Sequence, residues 1–215
     1  MDYLRTGELD LHGLDSHSTA KLFQDLDYLQ LPISSVSDLE LSSVTFQKKS
    51  SKAIVHHNTL QLDGNDYWAN AWSPNCDSNI LYWEVKIDKQ RGVGHIRVGI
   101  ANCYWDSESF VGDSKNSLGI TSENRISGFK EVFNDKEPWT CYTIVGVLFD
   151  KNRELIRFYN NKMFICEVIG IPNSHSWFPA FSVHCKHDSI TIINNPTLPS
   201  DYLPLINKIE KKNYW

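Results

Sequence analysis

The tetrapeptide His184-Cys185-Lys186-His187 holds residue types suited to metal binding, since imidazole nitrogen and thiolate sulfur are the usual ligands of zinc. A closed zinc site needs four such ligands converging on one ion, and no partner pair is visible at ligand spacing. The segment reads instead as a strand end running into a turn, with His184 and Lys186 on one face by alternation. His56-His57 reads as an exposed strand edge. No metal and no other cofactor is expected. Glycoside hydrolysis would require two carboxylates flanking the scissile bond. Glu84 and Asp88 are the nearest candidates, but Lys86 lies between them and the spacing departs from Glu-x-Asp-x-x-Glu. Glu84 is better read as a polar residue on a half-buried strand. No Gly-x-Ser-x-Gly elbow is present to expose a nucleophilic serine. Gly92-Val93-Gly94 lacks the third glycine and the helix of a phosphate cradle, and reads as a hairpin. The chain is therefore expected to bind rather than to catalyse.

The residues suited to binding are rings and amides near predicted turns. Tyr67-Trp68-Ala69-Asn70-Ala71-Trp72, Tyr104-Trp105-Asp106, Phe110 and Pro138-Trp139 carry them. Exposed rings beside polar groups are typical anchors, because they bury much area at little entropic cost. Trp68 and Trp72 alternate with small residues and suit an inward position. Trp105 and Trp139 sit in irregular stretches and rank first as anchors. Tyr104, Asp106, Phe110, Trp68 and Asn70 complete the candidate partner-binding set.

Strands must position these groups. From about Val44 the hydrophobic period is two. In Leu81–Ile87, residues Leu81, Trp83, Val85 and Ile87 share a face, while Glu84 and Lys86 point the other way. His95–Ile100, Tyr142–Asp150, Glu154–Tyr159, Phe178–His184 and Ile190–Ile193 read as further strands. Turn residues separate them at Asp63-Gly64-Asn65, Arg91-Gly92, Asp150-Lys151-Asn152 and Asn160-Asn161-Lys162. Short strands with such turns and no helices between them predict an antiparallel sandwich or barrel. Aromatic residues make up 12% of the chain, which suits pleated surfaces. Before Val44 the pattern is helical: Ala20, Phe23 and Leu26 recur at three-residue steps between a capping Asp15, Ser16 or Ser18 and a terminating Pro32. The Ser-rich PISSVSDLELSS that follows reads as a linker.

Taken in order, Tyr82–Ile87, Ile96–Ile100, Ser117–Ile120, Ile144–Asp150, Leu155–Asn160, Trp177–Ala180 and Ile192–Asn194 resemble the SPRY family, as does the exit Pro199–Leu205. The resemblance implies two packed antiparallel sheets in a jelly-roll sandwich, with loops at one end forming a protein-recognition surface. Two departures bear on loop geometry. Cys141-Tyr142-Thr143 stands where the family usually has Gly-Asp. Asn161-Lys162 stands where it usually has Asn-Gly, and Lys tolerates positive φ less well than Gly.

Near the N-terminus, Asp2–Leu9 with Leu26–Leu31 resembles the second half of a BTB domain of the potassium-channel-tetramerisation type. The first half, with its central strands, is not in the chain, and a half domain cannot bury its own core. That resemblance implies an adaptor that self-associates and delivers substrates to a cullin ubiquitin ligase. The expected organisation is a partial BTB-like helical segment and linker over 1–38, the sandwich over 39–205, and a polar tail over 206–215. A net charge of −5 offers no basic face for nucleic acid, and no apolar run has the length of a membrane span. The five scattered cysteines, the absence of an N-glycosylation sequon and the lack of a signal peptide predict a reducing, cytoplasmic setting. The partner is expected to be a protein or peptide. A carbohydrate-binding lectin-like sandwich is the alternative.

Overall fold

The structure, a computed structural model, describes residues 44–62, 64, 67–74, 78–130, 137–172, 175–199 and 201–202. The helical pattern, the linker and the BTB-like segment before Val44, and the tail over 206–215, lie outside them. Glu40–Pro199 forms one compact unit, separate from a second made of Met1–Leu39 and Ser200–Trp215. Among the described residues, regular structure is strand throughout. One sheet orders its six strands β1 (Lys48–Lys49), β4 (Ala69–Trp72), β12 (Trp177–Val183), β6 (Ile96–Asn102), β7 (Ser117–Thr121) and β8 (Ile126–Gly128). The other orders seven: β11 (Met163–Ile169), β10 (Leu155–Asn160), β9 (Ile144–Asp150), β5 (Ile80–Lys89), β13 (Ser189–Ile192), β3 (Thr59–Leu62) and β2 (Ala53–His56). Every pairing is antiparallel.

Alternation along the strands builds the core. Leu81, Trp83, Val85 and Ile87 of β5 are each at most 1% exposed. With Val145, Val147 and Phe149 of β9, they join one cluster with Ile96, Val98 and Ile100 of β6 and Phe181 and Val183 of β12. The inner faces of the two sheets thus meet in a single apolar layer, the outcome that period-two strands require. Phe46 adds an edge-to-face contact to Phe181 at 5.2 Å between ring centroids.

The outer face of the six-stranded sheet is covered as well. The segment joining β6 to β7 crosses it and seats Trp105 and Val111 against Ala101, Phe178 and Ala180. Gly99 and Gly119 pair across the β6–β7 ladder, and Gly119 leaves room for this segment. A Cβ on Gly119 would stand 2.9 Å from a Val111 methyl and 3.1 Å from its carbonyl oxygen. Asn70 fastens the segment. Its amide donates to the carbonyls of Ser107 at 2.7 Å and Ser109 at 2.9 Å, and its Oδ1 accepts from Ser182 Oγ at 2.5 Å. Ser182 Oγ in turn accepts from Val111 N at 2.9 Å.

At the β10–β11 turn, Asn161 and Lys162 both take positive φ, 48° and 67°, so the turn forms without the usual glycine. Lys162 reaches Glu84 at 3.4 Å and the Thr197 hydroxyl, contacts a glycine could not make. In β11 a register shift opposite Phe158/Tyr159 breaks the alternation, leaving Met163 and Phe164 both exposed.

Candidate functional site

The ladder registers bring three rings together at one end of the six-stranded sheet. Ala69 pairs with Val183, and Val183 with Ile96. The residues just beyond these positions are Trp68, His184 and His95, which therefore lie side by side. Ring centroids of Trp68 and His184 are 4.8 Å apart, and those of His184 and His95 5.0 Å. Arg97 rises from the outward face of β6 beside them. Its guanidinium lies 3.9 Å from the centroid of the Phe110 ring and 5.2 Å from that of Trp68, whose rings approach each other at 4.9 Å.

Arg97 Nη1 donates to Ser127 Oγ at 2.9 Å, whereas its buried Nε has no acceptor among the described residues. Burial, and then the nearby Arg125, lower the Arg97 pKa to about 10; Asp113 and Glu123 oppose the shift. The cation is thus held in a poorly solvated place, beside two rings and with one donor unmet. Tyr67, 60% exposed, flanks the group with the Lys52 ammonium 3.9 Å from its ring centroid. Cys185 and the two histidines bring three ligand atoms within 4.8 Å of one another at the same end.

The candidate residues read from sequence are divided by the fold. Trp68 and Phe110 converge on Arg97. Tyr104 is exposed but follows β6, at the opposite end of that strand and so about 20 Å away along it. There its ring meets His175 at 5.2 Å. Asp106 is exposed beside it and caps its own turn, accepting from Glu108 N at 3.0 Å. The other three lie buried. Trp139 is 2% exposed in the main core and donates from Nε1 to Asn124 Oδ1 at 2.6 Å. Trp105 is 8% exposed, packed edge-on to Trp72 at 5.8 Å. Asn70 is fully buried beneath the β6–β7 segment. Irregular backbone misled for the two tryptophans, because a segment without strand pairing still packs its large rings inward.

Arg97 was not singled out from sequence, though a charge between inward Ile96 and Val98 marks an outward strand position. Glu84 and Asp88 share a face of β5 with Lys86 between them, and each is engaged by its own partners. The Glu84 carboxylate accepts from Tyr82 Oη at 2.5 Å and meets Lys162. Asp88 accepts from Thr191 Oγ1 at 2.5 Å and pairs with Lys86 at 2.9 Å.

The fold has close counterparts among solved structures. A human SPRY domain crystal structure shares 19% identity and a TM-score of 0.59, covering 69% of this chain and 98% of that chain. The SPRY domain of human HERC1 gives 12% identity and a TM-score of 0.59, covering 72% of this chain and 99% of that one. The TRIM65 PSpry domain gives 10% identity and a TM-score of 0.55, covering 71% and 93%. At these identities the likeness is one of fold. No curated protein sequence matches the chain. The SPRY domain family model matches residues 80–196, from β5 through the end of β13, and with that match over more than half of its length the chain belongs to the SPRY domain family.

Proposed function

We propose that the protein captures a short segment of a partner protein at the end of the sandwich that carries Tyr67, Trp68, Arg97 and Phe110. SPRY domains are commonly protein-interaction modules, and the observation that carries the choice of surface is the partly buried Arg97 guanidinium beside the Phe110 and Trp68 rings. A carboxylate from a partner offsets the guanidinium charge that burial disfavours. The neighbouring rings supply apolar area. The favoured ligand is therefore an extended segment pairing an acidic residue with an aromatic or large aliphatic one.

Selection from a random peptide library on the immobilised protein tests this. Enriched peptides should carry that pair, and Arg97→Gln and Trp68→Ala should each weaken binding at least tenfold while the circular dichroism spectrum is kept. Enriched peptides that bind both variants as tightly as the parent would refute the choice of surface.

The N-terminal resemblance extends the reading to an adaptor in the cytoplasm, in which residues 1–38 mediate self-association or contact with a cullin scaffold. Its support is the sequence resemblance of that segment. The extension predicts that the full chain sediments as an oligomer or co-precipitates a cullin, and that residues 40–199 alone do neither. A full chain that is monomeric and takes up no cullin would eliminate it.

A further inference from the structure

We infer that His95, His184 and Cys185 form a binding site for a divalent ion of the zinc class, with a fourth coordination position open to water. In the sequence, His184 and His187 stand on either side of Cys185. In the fold His187 is exposed, at the turn before β13 with φ 75°, and the second imidazole near the thiol is His95, about ninety positions upstream on the loop that crosses from β5 in one sheet to β6 in the other, so that Gly92-Val93-Gly94 is not the hairpin expected from sequence. Cys185 Sγ lies 3.0 Å from His95 Nδ1 and 3.7 Å from His184 Nδ1. A tetrahedral zinc ion with bonds of about 2.3 Å to sulfur and about 2.0–2.1 Å to nitrogen sets its sulfur and nitrogen ligands about 3.6 Å apart. The two distances bracket that value, so small rotations of side chains suffice to close the site.

Three features hold the donors in place. The extended β6–β12 ladder sets the two imidazoles side by side, as described above. Asp188, fully buried, accepts from Arg91 N at 2.7 Å through Oδ1 and from Cys185 N at 3.2 Å through Oδ2. One carboxylate thereby ties the β5–β6 loop carrying His95 to the turn carrying Cys185. Its Oδ2 also lies 3.8 Å from His95 Nδ1, which adds negative charge beside a bound cation. Finally, the His95 ring lies against Gly92: a Cβ there would come within 2.3 Å of the ring carbon Cε1. Glycine at that position gives the imidazole its seat.

The donor set sorts the ion. One thiolate with two imidazoles suits zinc or another late first-row ion and disfavours calcium and magnesium, which take oxygen ligands. All three residues are partly exposed, so an ion enters from solvent, and water completes the tetrahedron. Binding releases the Cys185 thiol proton to solvent as the Sγ–metal bond forms, while each neutral imidazole donates a lone pair from Nδ1.

Cobalt(II) added to the reduced full-length protein reads the ligands directly. The expected result is one equivalent bound, with the visible bands of a tetrahedral ion and a near-ultraviolet thiolate-to-cobalt charge-transfer band, both removed by added zinc. Cys185→Ser should abolish the charge-transfer band, and His95→Gln should weaken cobalt binding at least tenfold. Gly92→Ala, which displaces the ring without touching a donor atom, should also weaken it. Cys103→Ser with Cys141→Ser, exposed positions outside the site, should change nothing. Each variant's fold is checked by circular dichroism. Absence of stoichiometric cobalt uptake by the parent protein overturns the proposal, and so does a charge-transfer band that survives in Cys185→Ser or binding that is undiminished in folded His95→Gln.

Discussion

Trp139 and Tyr104 show what separates a structural ring from an available one. Trp139 is 2% exposed and its indole N–H bonds to Asn124, whereas Tyr104 is 66% exposed. Replacing Trp139 with Ala should cost about 3–5 kcal/mol, because a large cavity opens and Asn124 Oδ1 loses its indole donor. Tyr104→Ala should stay within about 0.5 kcal/mol, as for surface sites generally. Urea denaturation of both variants checks the contrast, and equal losses would contradict the assigned burial. Cysteines divide in the same way. Burial pushes the Cys166 thiol from its ordinary 9.0 up to about 12, while Cys103 and Cys141 are exposed. Because the folded value lies above the unfolded one, the contribution of this thiol to stability is present below about pH 9 and lost as pH rises through about 12. Iodoacetamide at pH 8 should therefore label Cys103 and Cys141 within minutes and Cys166 only after unfolding, as read by peptide mass spectrometry.

At the level of elements, the segment between β6 and β7 depends on a sheet face kept free of side chains. Gly119→Ala places a methyl group against Val111 Cγ1 and the Val111 carbonyl. The backbone there cannot yield as a flexible side chain would, so about 1–3 kcal/mol of overpacking is expected. The disturbance should centre on the segment rather than on the strands. Hydrogen exchange is the measurement: faster exchange at Val111 and Gly112 with β6 and β7 still protected supports it, and uniform loss across the sheet argues against it. Both amides bond to buried hydroxyls, of Ser182 and Ser117, so lifting the segment has a direct readout.

For the whole molecule, the segment matched by the family, 80–196, omits strands that both sheets use. It lacks β3, which pairs with β13, and β4, which pairs with β12. Removing them bares two strand edges in opposite sheets and takes away core residues such as Leu60, Leu62, Ala69 and Ala71. A fragment of 80–196 is expected to aggregate or remain unfolded, while 40–199 should give a single cooperative thermal transition. Soluble, cooperatively folding 80–196 would show that the four early strands are dispensable. The same long-range pairings predict folding in milliseconds to seconds rather than microseconds, which stopped-flow fluorescence of the tryptophans can follow.

Period-two alternation was enough to identify β5, β6, β9, β10, β12 and β13 and to assign Leu81, Trp83, Val85 and Ile87 to one face, because a half-buried strand must alternate. It missed β1–β4, β7 and β8, and also β11, where the register shift puts Met163 and Phe164 out of phase. The family was legible because its strand motifs keep their order along the chain. Tertiary structure alone decided which rings face solvent, since a tryptophan in irregular backbone has the same local signature whether it covers a core or awaits a partner. It also decided the company of Arg97, His95, His184 and Cys185. Those contacts arise from the register between β4, β12 and β6, strands far apart in the chain whose pairing no local pattern encodes.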